Sequence, residues 1–124
     1  IWKDQSFESA LRLKRAPEGH PSQRLHGHSY LVRLHVSAPL DTVMGWTLDY
    51  GDIKDAFNPA CAKLDHHDLN GIAELIDTDA AHVVSWFREE MRGSIPQLDR
   101  IDLYEKPGCG VVLFWGQDRP ALPI

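Results

Sequence analysis

Apolar and polar residues alternate in two stretches of the first third of the chain. In WKDQSFESALRL the residues of one parity include Phe7, Ser9, Leu11 and Leu13. In YLVRLHV one parity holds Tyr30, Val32, Leu34 and Val36. Because successive side chains of a strand point to opposite faces, each stretch is predicted to be a strand with one buried face. We expect the two to pair antiparallel, joined by a loop over KRAPEGHPSQR, which is rich in Pro, Gly and polar residues.

The middle of the chain has helical spacing. A first helix is predicted in YGDIKDAFNPACAKL, where Pro59 is the point at which it can kink or divide. Its periodic apolar residues are Ile53, Phe57, Cys61 and Leu64. A second is predicted from about Asp79 to Arg92, with Thr78 or Asp79 as the N-cap and Gly93 as the stop signal. Its apolar stripe is Ala80, Val83, Val84, Phe87 and Met91.

The end of the chain predicts a second pair of strands, RIDLYEK and GVVLFW, joined at PGCG. The segment SAPLDTVMGW, before the first helix, is predicted to be a turn. The elements therefore follow the order ββααββ, which predicts an α+β fold.

Composition narrows the class of protein. With 124 residues, 43% hydrophobic and 25% charged, residues 1–124 are predicted to form a single domain. The net charge is -5 and the basic residues are dispersed, which argues against a nucleic-acid partner and favours a small molecule. Cys61 and Cys109 lack CxxC spacing, and we see neither a signal peptide nor a bilayer-spanning run. We expect a cytoplasmic protein without a membrane partner.

Two histidine motifs are the candidate chemistry. In RLHGHSY, His26 and His28 lie two residues apart on a predicted strand, so they share a face and can ligate one metal ion. Alternatively, they are a solvent-facing pair. In LDHHDLN, Asp65 can orient the imidazole of His66 for proton transfer. Alternatively, Asp65 caps a helix or turn and His66 is an exposed polar residue.

In order and spacing, the motifs FESALRL, EGH, RLHGHSY, GWTLDYGDIKDAF, LDHHDLN and YEK resemble the 6-pyruvoyl-tetrahydropterin synthase family. The resemblance runs from Trp2 to about Val112. It is strongest to the bacterial branch that makes 6-carboxy-tetrahydropterin for 7-deazaguanine and queuosine synthesis. It implies a tunnelling fold, with a four-stranded antiparallel sheet and two helices on one face. It also implies a homo-oligomer, commonly a hexamer built as a dimer of trimers, with active sites between subunits.

The resemblance also implies roles for individual residues. His26 and His28 match two of the family's three zinc-binding histidines. Asp65 and His66 match its acid-base pair, and Glu105 matches the glutamate that binds the pterin. A carboxylate suits that role because it accepts hydrogen bonds from the ring NH and the amino group together.

At other positions this chain departs from the family. Leu11 occupies the position of the third zinc histidine, and Ser22 that of the proton-abstracting cysteine. Thr78, Asp79, Ala80 and Ala81 replace Pro-Thr-x-Glu, and Lys106 replaces a threonine after the pterin-binding glutamate. His20, His67 or water can replace the missing zinc ligand. Alternatively, Leu11 is a core residue and no metal binds.

Three functions remain open at this point. The first, which the family resemblance favours, is a 6-carboxy-tetrahydropterin synthase-like lyase acting on 7,8-dihydroneopterin triphosphate, with Ser22 at the cysteine position. The cationic side chains of Lys14, Arg15 and Arg24 would then meet the phosphates. The second is an enzyme that cleaves the side chain of a dihydropterin by retro-aldol chemistry, using Asp65 and His66. The third is a non-catalytic, pterin-binding paralogue.

Overall fold

A computed structural model describes residues 1–39 and 48–116 of the chain. The four long strands are β1 (Trp2–Leu11), β2 (His26–Val36), β4 (Leu98–Lys106) and β5 (Cys109–Phe114). The helices are α1 (Tyr50–Leu64) and α2 (Ala80–Glu90), and a short strand β3 (His67–Asp68) lies between them. Single 3-10 turns occupy Pro21–Gln23 and Leu69–Gly71. Most of the turn predicted in SAPLDTVMGW lies outside the described residues.

The strands form one sheet in the order β3-β1-β2-β4-β5. The four long strands are antiparallel neighbours, as predicted. The prediction of only four strands was wrong, because β3 adds a fifth that pairs parallel with β1. It does so because the chain leaving α1 passes along the free edge of β1, where the backbone N–H of His66 donates to the carbonyl of Glu8 (2.6 Å).

Both helices cover one face of the sheet. Phe7 of β1 stacks on Tyr30 of β2, with ring centroids 4.6 Å apart. Phe87 of α2 packs edge-on against Phe7 at 5.6 Å and stacks on Phe57 of α1 at 5.1 Å. The predicted buried parity of β2 is confirmed, and Leu11 of β1 belongs to the same core with 1% of its surface exposed. The helix-covered face therefore contains the hydrophobic core.

Local signals set most of the element boundaries. The side chain of Asp79 caps α2 by accepting from the backbone N–H of His82 (3.0 Å), which confirms one of the two predicted caps. Pro59 lies inside α1, yet the helix continues through it to Leu64. Gly108 has a positive φ of 85° in the turn between β4 and β5, a conformation that glycine adopts without strain. Neither helix of the described chain is long and apolar enough to span a bilayer.

The other face of the sheet carries ion pairs. Arg33 of β2 binds Asp4 of β1 at 2.7 Å, and Asp102 of β4 accepts from Arg100 at 2.7 Å. His35 lies 3.0 Å from the same Asp102 carboxylate. The two faces thus differ in chemistry, one apolar and covered by helices, the other charged.

Candidate functional site

His26 and His28 share the helix-covered face of β2, as their spacing predicts. Their ring centroids are 5.3 Å apart and the rings are nearly perpendicular. His28 in turn packs edge-on against Tyr30 at 5.4 Å. Nδ1 of His26 lies 2.8 Å from the carbonyl oxygen of Arg24. Since a carbonyl only accepts, this contact assigns the proton to Nδ1 and leaves Nε2 of neutral His26 as the nitrogen able to ligate a metal.

The position opposite His26 holds no ligand. Leu11 pairs with His26 across the β1–β2 ladder, and its side chain is almost fully buried in the core. A leucine side chain offers no electron pair to a metal. Both replacement histidines bind the backbone through Nδ1. His20 accepts from the N–H of Ser22 (3.1 Å), and Nδ1 of His67 lies 2.7 Å from the carbonyl oxygen of Asp65.

Throughout residues 1–39 and 48–116, a single group of three potential ligand atoms lies within 4.8 Å, formed by Asp77, Asp79 and His82. It does not include His26 or His28, so the described residues do not fit a three-histidine zinc site. The group lies at the start of α2, where Asp79 is the N-cap and its Oδ2 lies 2.6 Å from Nδ1 of His82. Sequence reasoning singled out Asp79 for capping alone.

Asp65 and His66 form the predicted pair directly after α1. Nδ1 of His66 lies 3.0 Å from Oδ1 of Asp65, which also accepts from the backbone N–H of Glu8 (2.9 Å). That N–H, followed by the contact with His66, holds the pKa of the Asp65 carboxyl below its usual value. Asp65 also caps α1 through its backbone N–H, which donates to the carbonyl of Cys61, so the predicted helix cap is confirmed.

His66 adopts a left-handed backbone conformation with φ at 58°. This costs a non-glycine residue on the order of 1–2 kcal/mol, and such conformations persist where surrounding contacts enforce them. Here the enforcing contacts come from Glu8 of β1, through its backbone N–H to Asp65 and its carbonyl to His66. β1 therefore sets the orientation of the imidazole.

A cavity of about 440 Å³ opens beside this pair, where β3, β1 and β2 meet. Its volume is in the range of small-molecule pockets. Its lining residues are Glu8, Ser9, Ala10, Gly27, His28, Ser29, His66, His67 and Asp68. Two of the predicted site residues, His66 and His28, are among them. Sequence reasoning missed Glu8; its one signal was a carboxylate three residues before the site of the third zinc histidine, which does not by itself indicate a site.

Glu105 lies near the end of β4 and is not among the residues that line this cavity. The register of β2 and β4 pairs Leu31 with Tyr104, and one further step places Glu105 opposite Tyr30. Burial, and then the charge of Glu105, raise the pKa of Tyr30. The Tyr30 hydroxyl is buried and has no hydrogen-bond partner among the described residues.

The remaining predicted residues lie in the loop between β1 and β2. Ser22 is in the 3-10 turn Pro21–Gln23, and its carbonyl accepts from the backbone N–H of Leu13 (2.8 Å). Arg24 follows this turn and is exposed. Neither residue lines the cavity beside His66.

Comparisons with known proteins agree with this fold. The family described as 6-pyruvoyl tetrahydropterin synthase matches residues 1–114. A 6-carboxy-5,6,7,8-tetrahydropterin synthase from Synechocystis is 31% identical over 85% of this chain and 84% of its own. A dihydroneopterin monophosphate aldolase from Pyrococcus furiosus is 28% identical over 75% of this chain and 81% of its own. The structure of 6-pyruvoyl tetrahydropterin synthase from Caenorhabditis elegans matches with a TM-score of 0.82 at 17% identity, covering 94% of both chains.

Proposed function

Because this chain belongs to the pterin-metabolising 6-pyruvoyl tetrahydropterin synthase family, we propose that it binds a 7,8-dihydroneopterin phosphate and cleaves the side chain by retro-aldol chemistry. The observation that carries the proposal is the contact of 3.0 Å between Oδ1 of Asp65 and Nδ1 of His66 beside the cavity. An imidazole held by a carboxylate can give and take protons near neutral pH. Retro-aldol cleavage needs such a group and does not need a thiol.

The positions at which this chain departs from the family favour retro-aldol cleavage. Ser22 offers a hydroxyl, a much weaker base than the thiolate that a cysteine would supply. Leu11 is buried in the core, so the third zinc ligand is missing and the proposed mechanism takes no step through a metal. The family relative from Pyrococcus furiosus, a dihydroneopterin monophosphate aldolase, supports the same reaction class.

The second candidate is the 6-carboxy-tetrahydropterin synthase-like lyase of 7-deazaguanine and queuosine synthesis, acting on 7,8-dihydroneopterin triphosphate. It is supported by the synthase from Synechocystis, the relative of higher identity and coverage. In this reaction Ser22 would have to act as the base and Arg24 would meet the phosphates. Any zinc would depend on His26 and His28 with a ligand from outside the described residues.

We also propose that the complete site contains more than one copy of the chain. Glu105, the proposed pterin-binding residue, is not among the residues that line the cavity beside His66. A second copy can bring its own Glu105 to that cavity. The outer edge of β5 has no partner strand among the described residues, and a free edge invites pairing with another copy. We expect a homo-hexamer built as a dimer of trimers; the cytoplasmic location also stays a prediction.

Product analysis tests the function. The purified protein is incubated with the monophosphate and the triphosphate of 7,8-dihydroneopterin, and the pterins are identified by mass spectrometry. Retro-aldol cleavage gives 6-hydroxymethyl-7,8-dihydropterin, whereas the lyase gives 6-carboxy-tetrahydropterin. Asp65→Asn should lose turnover, and Glu74→Gln, an exposed control that does not line the cavity, should keep it. Bound but unaltered pterin would establish a non-catalytic paralogue, and a monomer in light scattering would contradict the shared site.

A further inference from the structure

Glu8 is the acidic side chain of β1 that lines the cavity together with His66. We infer that Glu8 is a catalytic residue, the carboxylate that accepts the proton leaving the substrate's side-chain hydroxyl. The inference rests on the proposed retro-aldol function and names a base for it.

The backbone and side chain of Glu8 have separate contacts. Its N–H and carbonyl hold Asp65 and His66, so the Glu8 backbone is fixed relative to the acid-base pair. Its carboxylate oxygen Oε2 accepts from the Ser29 hydroxyl (2.7 Å), which fixes the direction of the side chain. Within residues 1–39 and 48–116 the other carboxylate oxygen, Oε1, has no hydrogen bond, so it is the atom that can bind a ligand in the cavity. Glu8 is thus held in place by β1, β2 and the segment after α1.

The carboxylate of Glu8 provides a proton acceptor, which the hydroxyl of Ser22 does not. It is ionised at neutral pH and accepts a proton directly, whereas a serine hydroxyl must first lose its own. Neither Ser22 nor any other residue of the loop between β1 and β2 lines the cavity. Glu8 does, alongside the His66 imidazole, so one cavity presents both a proton acceptor and a proton donor.

The proposed step conserves atoms and electrons. The carboxylate of Glu8 takes the proton of the hydroxyl on the second side-chain carbon, and that carbon becomes an aldehyde. The bond between the first and second side-chain carbons breaks, and its electron pair enters the conjugated C=N of the dihydropterin ring. Protonated His66 then returns a proton to the first side-chain carbon. The products are 6-hydroxymethyl-7,8-dihydropterin and a glycolaldehyde phosphate, with no oxidant or reductant consumed.

Steady-state kinetics of the full-length Glu8→Gln variant with 7,8-dihydroneopterin monophosphate test this role. Loss of a general base should lower kcat about 100-fold or more. KM should change little, because glutamine keeps the size and can still accept from Ser29. Added formate should restore part of the activity of Glu8→Ala, since a free carboxylate can enter the space left. Glu74→Gln is the matched control and should have the kcat of the unmodified protein.

The outcomes separate this inference from the proposed function. If the unmodified protein releases the hydroxymethyl product and Asp65→Asn is inactive, but Glu8→Gln keeps full kcat, the role of Glu8 alone is overturned. A merely structural Glu8 is indicated if thermal stability falls together with kcat and formate gives no rescue. If the unmodified protein releases no hydroxymethyl product, both the retro-aldol function and the role of Glu8 as its base are overturned.

Discussion

Replacing Leu11 by histidine should convert the two-histidine arrangement into a zinc site. Leu11 lies directly opposite His26 in the β1–β2 ladder, on the face that also carries His28. Directly paired residues of antiparallel strands have Cβ atoms about 4.5–5.5 Å apart, close enough for two imidazoles to share one metal ion. Three nitrogen ligands and one open position form the usual arrangement of a catalytic zinc.

Without zinc, the substitution should destabilise the fold. Leu11 is 1% exposed, and losing the burial of a leucine side chain costs about 1.5–3 kcal/mol. A buried imidazole without a partner costs about 1–3 kcal/mol more. The sum, roughly 2.5–6 kcal/mol, is a large part of the 5–15 kcal/mol typical of a whole domain. We expect the melting temperature to fall by roughly 10–20 °C for a domain of this size.

Zinc should restore much of the stability that Leu11→His loses. A ligand that binds only the folded state at 100 times its Kd contributes about 2.7 kcal/mol, enough to restore roughly 10 °C. The assay is thermal unfolding followed by circular dichroism, with and without zinc, on the unmodified protein and Leu11→His. Leu11→Asn is the control, because it also buries a polar group but adds no imidazole. Adding His26→Ala to Leu11→His should abolish the zinc effect.

Two results would refute the reasoning. If zinc raises the melting temperature of Leu11→Asn as much as that of Leu11→His, the metal binds elsewhere, and the group of Asp77, Asp79 and His82 becomes the candidate. If Leu11→His is as stable as the unmodified protein without zinc, Leu11 is not the packed core residue described here.

Three further predictions concern the predicted acid-base pair and the glutamate near Tyr30. Glu105→Ala should remove a charged acceptor worth about 1.5–3 kcal/mol, weakening pterin binding at least tenfold in a fluorescence titration. Asp65→Asn should lower the urea midpoint near neutral pH. Because the folded pKa of Asp65 lies below its unfolded value of about 4, the difference from the unmodified protein should hold above pH 4 and vanish as pH falls through the folded pKa. Tyr30→Phe should keep or raise stability, since it removes a buried hydroxyl that has no hydrogen-bond partner in the described part of the chain.

Each of these three predictions has a result that would contradict it. Unchanged pterin affinity in Glu105→Ala, with Glu18→Ala as the exposed control, would remove Glu105 from the site. A urea midpoint difference for Asp65→Asn that grows on acidification would mean that the folded protein raises the pKa of Asp65. A destabilised Tyr30→Phe would show that the hydroxyl has a hydrogen-bond partner in the assembled protein.

The sequence by itself determined the elements whose signals are local. Alternation predicted β1 and β2 and the buried parity that contains Tyr30, because side chains of a strand alternate between faces. The apolar stripe and Asp79 predicted α2, since a cap and its helix lie within a few residues. The spacing of His26 and His28 likewise placed both rings on one face. The motif resemblance predicted the family and the α+β fold, both of which are confirmed.

Only the tertiary structure decided which distant residues these motifs contact. Glu8 and Asp65 are 57 residues apart, so no local pattern predicts that the backbone of one orients the carboxylate of the other. β3 forms because the chain leaving α1 pairs with the free edge of β1. The sequence did not predict it, since a strand of two residues is too short to show an alternating pattern. Whether Leu11 is buried depends on the helices that cover its strand. The cavity beside His66 likewise arises where β3, β1 and β2 come together, which is why Glu8 could be recognised in the folded chain but not in the sequence.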